Sequence, residues 1–307
     1  MEILKTQIGI MKLPYLRISL TPDCNAGCSF CHNEGQKIGK RVDDSSMVNS
    51  FLSLDQYREI AYEYKDYFTK VTFTGGEPTL VKQLPEIISI FKKAGYFTSM
   101  TSNAILLNDN LQKRLAKKGL DRINISLHST NSQDYRRVFK VDKLSEVMDN
   151  LKLLNKNFTE TCKINFMALP TKNIPSELIP MTELSSSNGV KISLMSNVTD
   201  RNIQRPLSSI VLDYLRANYN ISRMEKSSEK FNTRRTYYFE NGAIWEFDDF
   251  RQLDYRKDAF NNEVCRICTK RSRCTEGPYA LRVTHMGIAK PCLIRIDNQV
   301  PILDSIQ

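Results

Sequence analysis

Short runs of β-branched and aromatic residues alternate with stretches of helical period through most of this chain, and that alternation constrains the fold more than any other feature. The runs "YLRISL" (15–20), "KVTFTG" (70–75), "YFTSMTS" (96–102), "RINISLH" (122–128), "KINFMAL" (163–169) and "VKISLMS" (190–196) read as strands. Between them, Ser53 and Gln56 form a capping box ahead of an apolar stripe running from Leu54 to Phe68. Leu84, Ile87, Ile88 and Phe91 make a second stripe, with Gly95 placed to stop it, and Leu111 and Leu115 precede Gly119 in a third. Leu144, Val147, Met148, Leu151 and Leu154 mark a fourth. Strands separated by helices pair in parallel through right-handed crossovers. The expected class is therefore α/β, as an open doubly wound sheet or a partial barrel, with chemistry at the C-terminal ends of the strands.

After residue 200 the rhythm changes. "RPLSSIVLDYLRANYN" predicts a helix, "RRTYYFENGAIWEF" a hairpin turning at Asn241–Gly242, and a cysteine-rich segment spans 265–292. This divides the chain into a first unit over 1–200 and a second over 201–307. With 307 residues, 41% of them hydrophobic, the chain can bury the core of one large or two moderate domains. No run nears the roughly 18 apolar residues of a membrane span, and "MEILKTQIGIMKLP" lacks the succession of a signal peptide. A cytoplasmic protein that does not bind membranes is expected. The formal charge of +10 concentrates in "KRLAKK", "RMEKSSEKFNTRR" and "RICTKRSR". No aromatic platform or zinc-finger spacing accompanies it, so the basic balance reads as solvated faces or attraction for a small anion; nucleic acid is disfavoured.

The stretch directly after the first strand, "TPDCNAGCSFCHNEG", carries Cys24, Cys28 and Cys31. Three thiols leave one unpaired in any disulfide scheme, and structural zinc takes four ligands. The spacing C-x3-C-x2-C suits an iron–sulfur cluster that keeps one iron free of protein ligands. "GGEP" (75–78) follows the second strand, where its glycines allow close backbone approach and Glu77 offers a carboxylate for an ammonium group. His128, at the end of the fourth strand, is a candidate catalytic proton-transfer group. Cys162 reads as a buried strand thiol, and Tyr237, Tyr238 and Trp245 as hairpin packing. Cys265, Cys268, Cys274 and Cys292 supply four further thiolates, enough for a second cluster or a zinc site.

Together these motifs resemble the radical S-adenosylmethionine (SAM) superfamily. "YLRISLTPDCNAGCSFC", "KVTFTGGEPTL", "TSNAILL", "INISLHS", "CKINFMAL" and "ISLMSN" resemble, in order, its GTP 3′,8-cyclase subgroup over residues 13–197. The resemblance implies a partial (β/α)6 TIM barrel followed by a small α+β auxiliary-cluster domain. It implies that [4Fe–4S] and SAM supply a 5′-deoxyadenosyl radical that abstracts a substrate hydrogen, with flavodoxin or ferredoxin as reductant. Phe30, Gly76, Glu77, Ser126 and Met195 would then form the SAM pocket. Arg17, Lys70, Thr101, Lys163 and Arg282 would face a small-molecule substrate, with Lys163 joining His128 as a catalytic candidate. "ALRVTHMGIAKPCL" resembles the end of the cyclase's auxiliary-cluster motif, implying a second [4Fe–4S] cluster. Three departures argue against strict GTP cyclase activity: four cysteines where the cyclase has three, and Thr72 and Ala280 where it has arginines. The alternatives are modification of a ribosomal peptide, dehydrogenation or epimerisation of a sugar or aminocyclitol, and a non-enzymatic iron–sulfur protein.

Overall fold

The computed structural model describes residue 13 and residues 15–42, 47–158, 162–167, 174–195, 207–229, 232–248, 263–266, 268, 280–293 and 299–306. Its first six strands are those the alternation predicts. They are β1 (Leu16–Ser19), β2 (Lys70–Thr74), β3 (Phe97–Ser102), β4 (Arg122–Ser126), β5 (Lys163–Met167) and β6 (Lys191–Met195). Between β1 and β2 lies α1 (Leu54–Glu63), begun by the reciprocal Ser53–Gln56 capping box. The later connections carry α2 (Leu84–Lys93), α3 (Asp109–Lys117), α4 (Ser132–Phe139), α5 (Leu144–Leu151), α6 (Leu154–Asn157) and α7 (Ile174–Asn188). Gly95, after α2, adopts φ +96°, a left-handed turn that favours glycine and lets the chain double back into β3.

Each strand from β1 to β6 pairs in parallel with the next. Beyond them, α8 (Leu207–Asn218) leads to β7 (Ile221–Glu229), β8 (Asn232–Phe239) and β9 (Ile244–Asp248). The predicted hairpin forms between β8 and β9, turning through Gly242 at φ +85°. β9 does more than close that hairpin, since it pairs in parallel with β6. A short α9 (Glu263–Arg266) precedes β10 (Leu281–Val283), β11 (Ile288–Lys290) and β12 (Val300–Pro301). β10 likewise pairs in parallel with β1. The described strands thus form one twelve-stranded sheet in the order β12-β11-β10-β1-β2-β3-β4-β5-β6-β9-β8-β7. This is the expected α/β partial barrel, its parallel run lengthened at both edges by strands of the second segment.

Alternation along the strands separates two faces. Leu16, Ile18, Val71, Phe73, Met100, Ile123, Ile125, Ile164, Phe166, Ile192, Leu194 and Trp245 are buried in the apolar core. Trp245 reaches α7, donating to Thr182 Oγ1 at 3.2 Å, so its face is the one the helices cover. The other face, which includes Arg17, Thr72, Ser99, Lys163, Ser193 and Glu246, lines the barrel lumen and is polar. Among the described residues no helix is long and apolar enough to cross a membrane.

Candidate active site

The loop after β1 is held from three sides. Gly27 N and Ser29 N donate to the Phe139 and Val138 carbonyls at the end of α4, at 2.9 and 3.1 Å. Val42 N donates to Cys24 O at 3.0 Å, returning the chain beside the cysteines. From β2, Gly76 N donates to Thr21 O at 2.6 Å and Glu77 N to Asp23 O at 2.8 Å. A Cβ on Gly76 would lie 1.9 Å from Asp23 O, so the glycine is required for the close approach of one loop backbone to another.

Cys24 and Cys28 are half-buried and Cys31 is exposed. Ala26 N donates to Cys24 Sγ at 3.4 Å. Burial, with Glu77 beside it, pushes the Cys24 thiol up to about 12. Burial, with Cys24 and Cys31 beside it, does the same for Cys28. Crowded thiols that resist ionisation alone become thiolates when a metal takes them. Among the described residues no three His, Cys, Asp or Glu side chains are gathered to hold a single metal ion. Three thiols at C-x3-C-x2-C spacing on one loop fit a polynuclear cluster, whose irons take one thiolate each.

Glu77 is buried and its carboxylate staples the rim together. Oε1 accepts from Thr79 N at 3.1 Å, Thr79 Oγ1 at 2.6 Å and Ser102 Oγ at 2.8 Å, and Oε2 accepts from Asn103 N at 2.8 Å. Burial still raises its pKa. Asn103 continues the link, donating through Nδ2 to Asn25 Oδ1 at 2.7 Å in the cysteine loop. The next residue, Ala104, sits at φ +65°, a left-handed conformation uncommon for alanine and held here by the surrounding bonds. His128 stacks on Phe139 at 5.5 Å between centroids and meets the edge of Phe30 at 4.9 Å. Burial lowers its pKa to about 4, so the ring is neutral at pH 7 and packs beneath Phe30. Glu177 of α7 accepts from Ser129 Oγ and from Thr130 N, fixing the loop that follows His128. Ser126 and Met195 end β4 and β6 on the same rim, Met195 being 44% exposed.

Two charge clusters occupy the lumen. Glu34, at φ +53° just past the cysteine loop, accepts from Arg17 Nε at 2.8 Å, and its other oxygen lies 3.3 Å from Arg282 Nε. Burial alone would raise its pKa, but the Arg17 and Arg282 guanidiniums outweigh it and hold the carboxyl at about 2. On the other side, Glu246 of β9 bridges Lys163 of β5 and Lys191 of β6; the Lys191 contact is 3.3 Å, and Ser193 Oγ also donates at 3.3 Å. Against the effect of burial, Lys163, Lys191 and Arg234 hold Glu246 at about 2. Burial lowers Lys163 to about 8 despite the Glu246 charge beside it.

The fold therefore brings Phe30, Gly76, Glu77, Ser126 and Met195 to one rim, beside the cysteine loop. Arg17, Thr101, Lys163 and Arg282 lie on lumen-facing strand positions. Lys70 is exposed and opens β2, at the opposite end of that strand from Gly75–Gly76. Cys162 is buried and Tyr237 and Trp245 pack in the core, as their patterns suggest. Cys265 and Cys268 are half-buried and Cys292 is buried, while Cys274 lies outside the described residues. Glu34, Asn103, Glu177, Lys191 and Glu246 were not singled out from the sequence. Only Glu246 carried a signal, as an acid between two core aromatics on a strand.

Comparison with known proteins agrees with this geometry. Residues 18–179 match the profile of the Radical SAM superfamily. A probable GTP 3′,8-cyclase of Thermococcus kodakarensis is 29% identical over 296 residues, covering 95% of this chain and 88% of that protein. One from Sulfurisphaera tokodaii is 30% identical over 302 residues, with coverages of 95% and 85%. Streptococcus suis SuiB bound to its precursor peptide SuiA superposes with a TM-score of 0.66 at 17% identity. It covers 99% of this chain, which spans 66% of the SuiB chain, and at that identity the likeness is one of fold.

Proposed function

The chain belongs to the radical SAM superfamily, and we propose that it abstracts a hydrogen atom from a small polar substrate held in the barrel lumen, a nucleotide-derived metabolite being the leading class. The observation that carries this is the latch between the two loops: Gly76 and Glu77 donate to the backbone that presents Cys24, Cys28 and Cys31. Those thiolates would hold a [4Fe–4S] cluster, and Phe30, Gly76, Glu77, Ser126 and Met195 would bind SAM beside it. Bound there, the two groups supply one-electron cleavage of SAM and a radical that takes a hydrogen from carbon. The protein's own share is to bind, orient and exclude water. Glu77 fixes the rim through its hydrogen bonds, the stacked His128 and Phe139 rings both contact Phe30 and hold it in place, and Arg17, Thr101 and Arg282 face the substrate.

The relatives named probable GTP 3′,8-cyclases make GTP the first nucleotide to test. Two lumen features weigh against a triphosphate. Thr72 is engaged with Ser99 Oγ at 2.9 Å, and Ala280, directly before β10, is buried and has no side-chain donor to offer; the cyclase resemblance has arginines at both positions. Cys265, Cys268 and Cys292, with Cys274, would hold a second [4Fe–4S] cluster, closed by four thiolates.

Anaerobic reconstitution tests both sites together. Iron and sulfide are counted in the wild type and in a Cys24/Cys28/Cys31→Ala variant, alongside reductive SAM cleavage. About eight irons falling to about four, with cleavage lost, is the expected result. About four irons plus zinc in the wild type would make the second site a structural staple. A fully loaded protein that leaves SAM intact, with GTP, a precursor peptide or neither present, would overturn the reading.

A further inference from the structure

Lys163 and Lys191 are lumen cations at the starts of neighbouring strands, and a barrel that took a polyphosphate chain would use such a pair. In this protein the pair already has an anion. Glu246 is buried on β9, opposite Ser193 in the register, and salt-bridges both ammonium groups. Ser193 Oγ supplies a further donor. The arrangement exists because β9 pairs in parallel with β6: Lys191 lies opposite Ile244, and the pleat returns Glu246 to the same face two residues on.

A buried carboxylate between two ammonium groups is not a passive neighbour. An anion approaching Lys163 meets the Glu246 charge within bonding distance of the same nitrogen. To bind, it must either share the lysine against like-charge repulsion or displace a buried carboxylate that then keeps only Lys191 as its ion-pair partner, and both are costly in a desolvated site. The same logic recurs across the lumen, where Glu34 lies between Arg17 and Arg282. Arg122 and Arg234 lie near Lys163 and keep the surroundings cationic, so the lumen still attracts a compact anion.

We propose that Glu246 is a specificity-determining residue, an internal counter-anion that denies Lys163 and Lys191 to a polyphosphate chain and restricts the lumen to substrates bearing a single compact anionic group, a carboxylate or a monophosphate. The inference rests on the lumen being the substrate chamber. It names the class of substrate that the chamber accepts.

The test is calorimetric titration of the reconstituted protein with inorganic tripolyphosphate and with inorganic phosphate. In the wild type, tripolyphosphate binds less than tenfold more tightly than phosphate. In Glu246→Gln, tripolyphosphate binding tightens at least tenfold, and adding Lys163→Met removes the gain. Because Glu246→Gln strips a buried charge and can fail to fold, Lys163→Met and Lys191→Met are also made singly. Each leaves one lysine to pair with Glu246, and neither weakens wild-type tripolyphosphate binding more than twofold. A fivefold loss in either single variant, or a gain in Glu246→Gln that survives removal of Lys163, overturns the proposal. SAM cleavage by the same wild-type preparation is scored separately. Its absence would count against the radical SAM function and leave the anion selectivity to stand or fall alone.

Discussion

An added methyl group at Gly76 would lie 1.9 Å from the Asp23 carbonyl oxygen, whereas one at Gly95 would meet nothing within 4 Å. The two glycines serve different physical needs, space at the first and a left-handed φ of +96° at the second. Gly95→Ala should therefore cost only the conformational strain, about 1 kcal/mol. Gly76→Ala must push two loop backbones apart, so it should cost more than about 2 kcal/mol and lower the iron retained per chain. Urea unfolding and iron analysis check both, and equal losses in the two variants would refute the latch. The lumen carboxylates make a pH prediction of the same local kind. Glu34 and Glu246 are held at about 2, below the ordinary 4.5. A depressed carboxyl pKa contributes stability that is present above about pH 4.5 and lost as pH falls towards 2, because the unfolded chain then binds the extra protons. The urea midpoint of the wild type should fall from pH 5.5 to 3.5, and fall less steeply in Glu246→Gln. Parallel slopes would mean that Glu246 is not ionised between its lysines.

At the scale of elements, the last described segment is tied to the first helix of the barrel. Tyr64, the residue that closes α1, is buried and donates its hydroxyl to Ile302 O at 2.7 Å. Tyr64→Phe leaves that carbonyl without its donor and should cost about 1 kcal/mol, read as a lowered denaturant midpoint. No change would mean that the packing of Ile302 and Leu303, and not the hydrogen bond, holds the segment. Elements of this sort were unevenly legible in the sequence. The start of α1 was readable because its capping box is made by Ser53 and Gln56 themselves, and β1 to β6 because alternation is a property of each strand alone. The partnership of β9 with β6 and of β10 with β1 was not, since strand pairing across the chain leaves no local mark. Glu246 was hidden for that reason: "AIWEF" displays an acid facing away from Trp245 and Phe247, but not that Lys163 and Lys191 lie across from it. Glu34 was hidden differently, its direction set by positive φ at Asn33 and Glu34, which no composition rule assigns to those residues.

For the whole molecule, the continuous sheet decides what can fold alone. The change of rhythm near residue 200 suggests a boundary, yet β9 covers the edge of β6 and β10 covers the edge of β1. Cutting there would strip both edges of the parallel run at once. Leu16–Ile18 and Lys191–Leu194 would lose the partners on their outer edges, flanked by buried Leu16, Ile18, Ile192 and Leu194. Exposed edges with apolar flanks pair with other chains. Lys163 and Lys191 would also lose their shared carboxylate, leaving two cations in a half-buried lumen. A fragment spanning residues 1–200 should consequently elute as aggregate and unfold without a cooperative transition, while the full chain is soluble at the same concentration. Size-exclusion chromatography and circular dichroism on the two proteins check this. A monomeric fragment with a sharp transition would show that the edge strands decorate a barrel stable without them; Glu246 would then be an addition to an independent fold and not part of what holds it together.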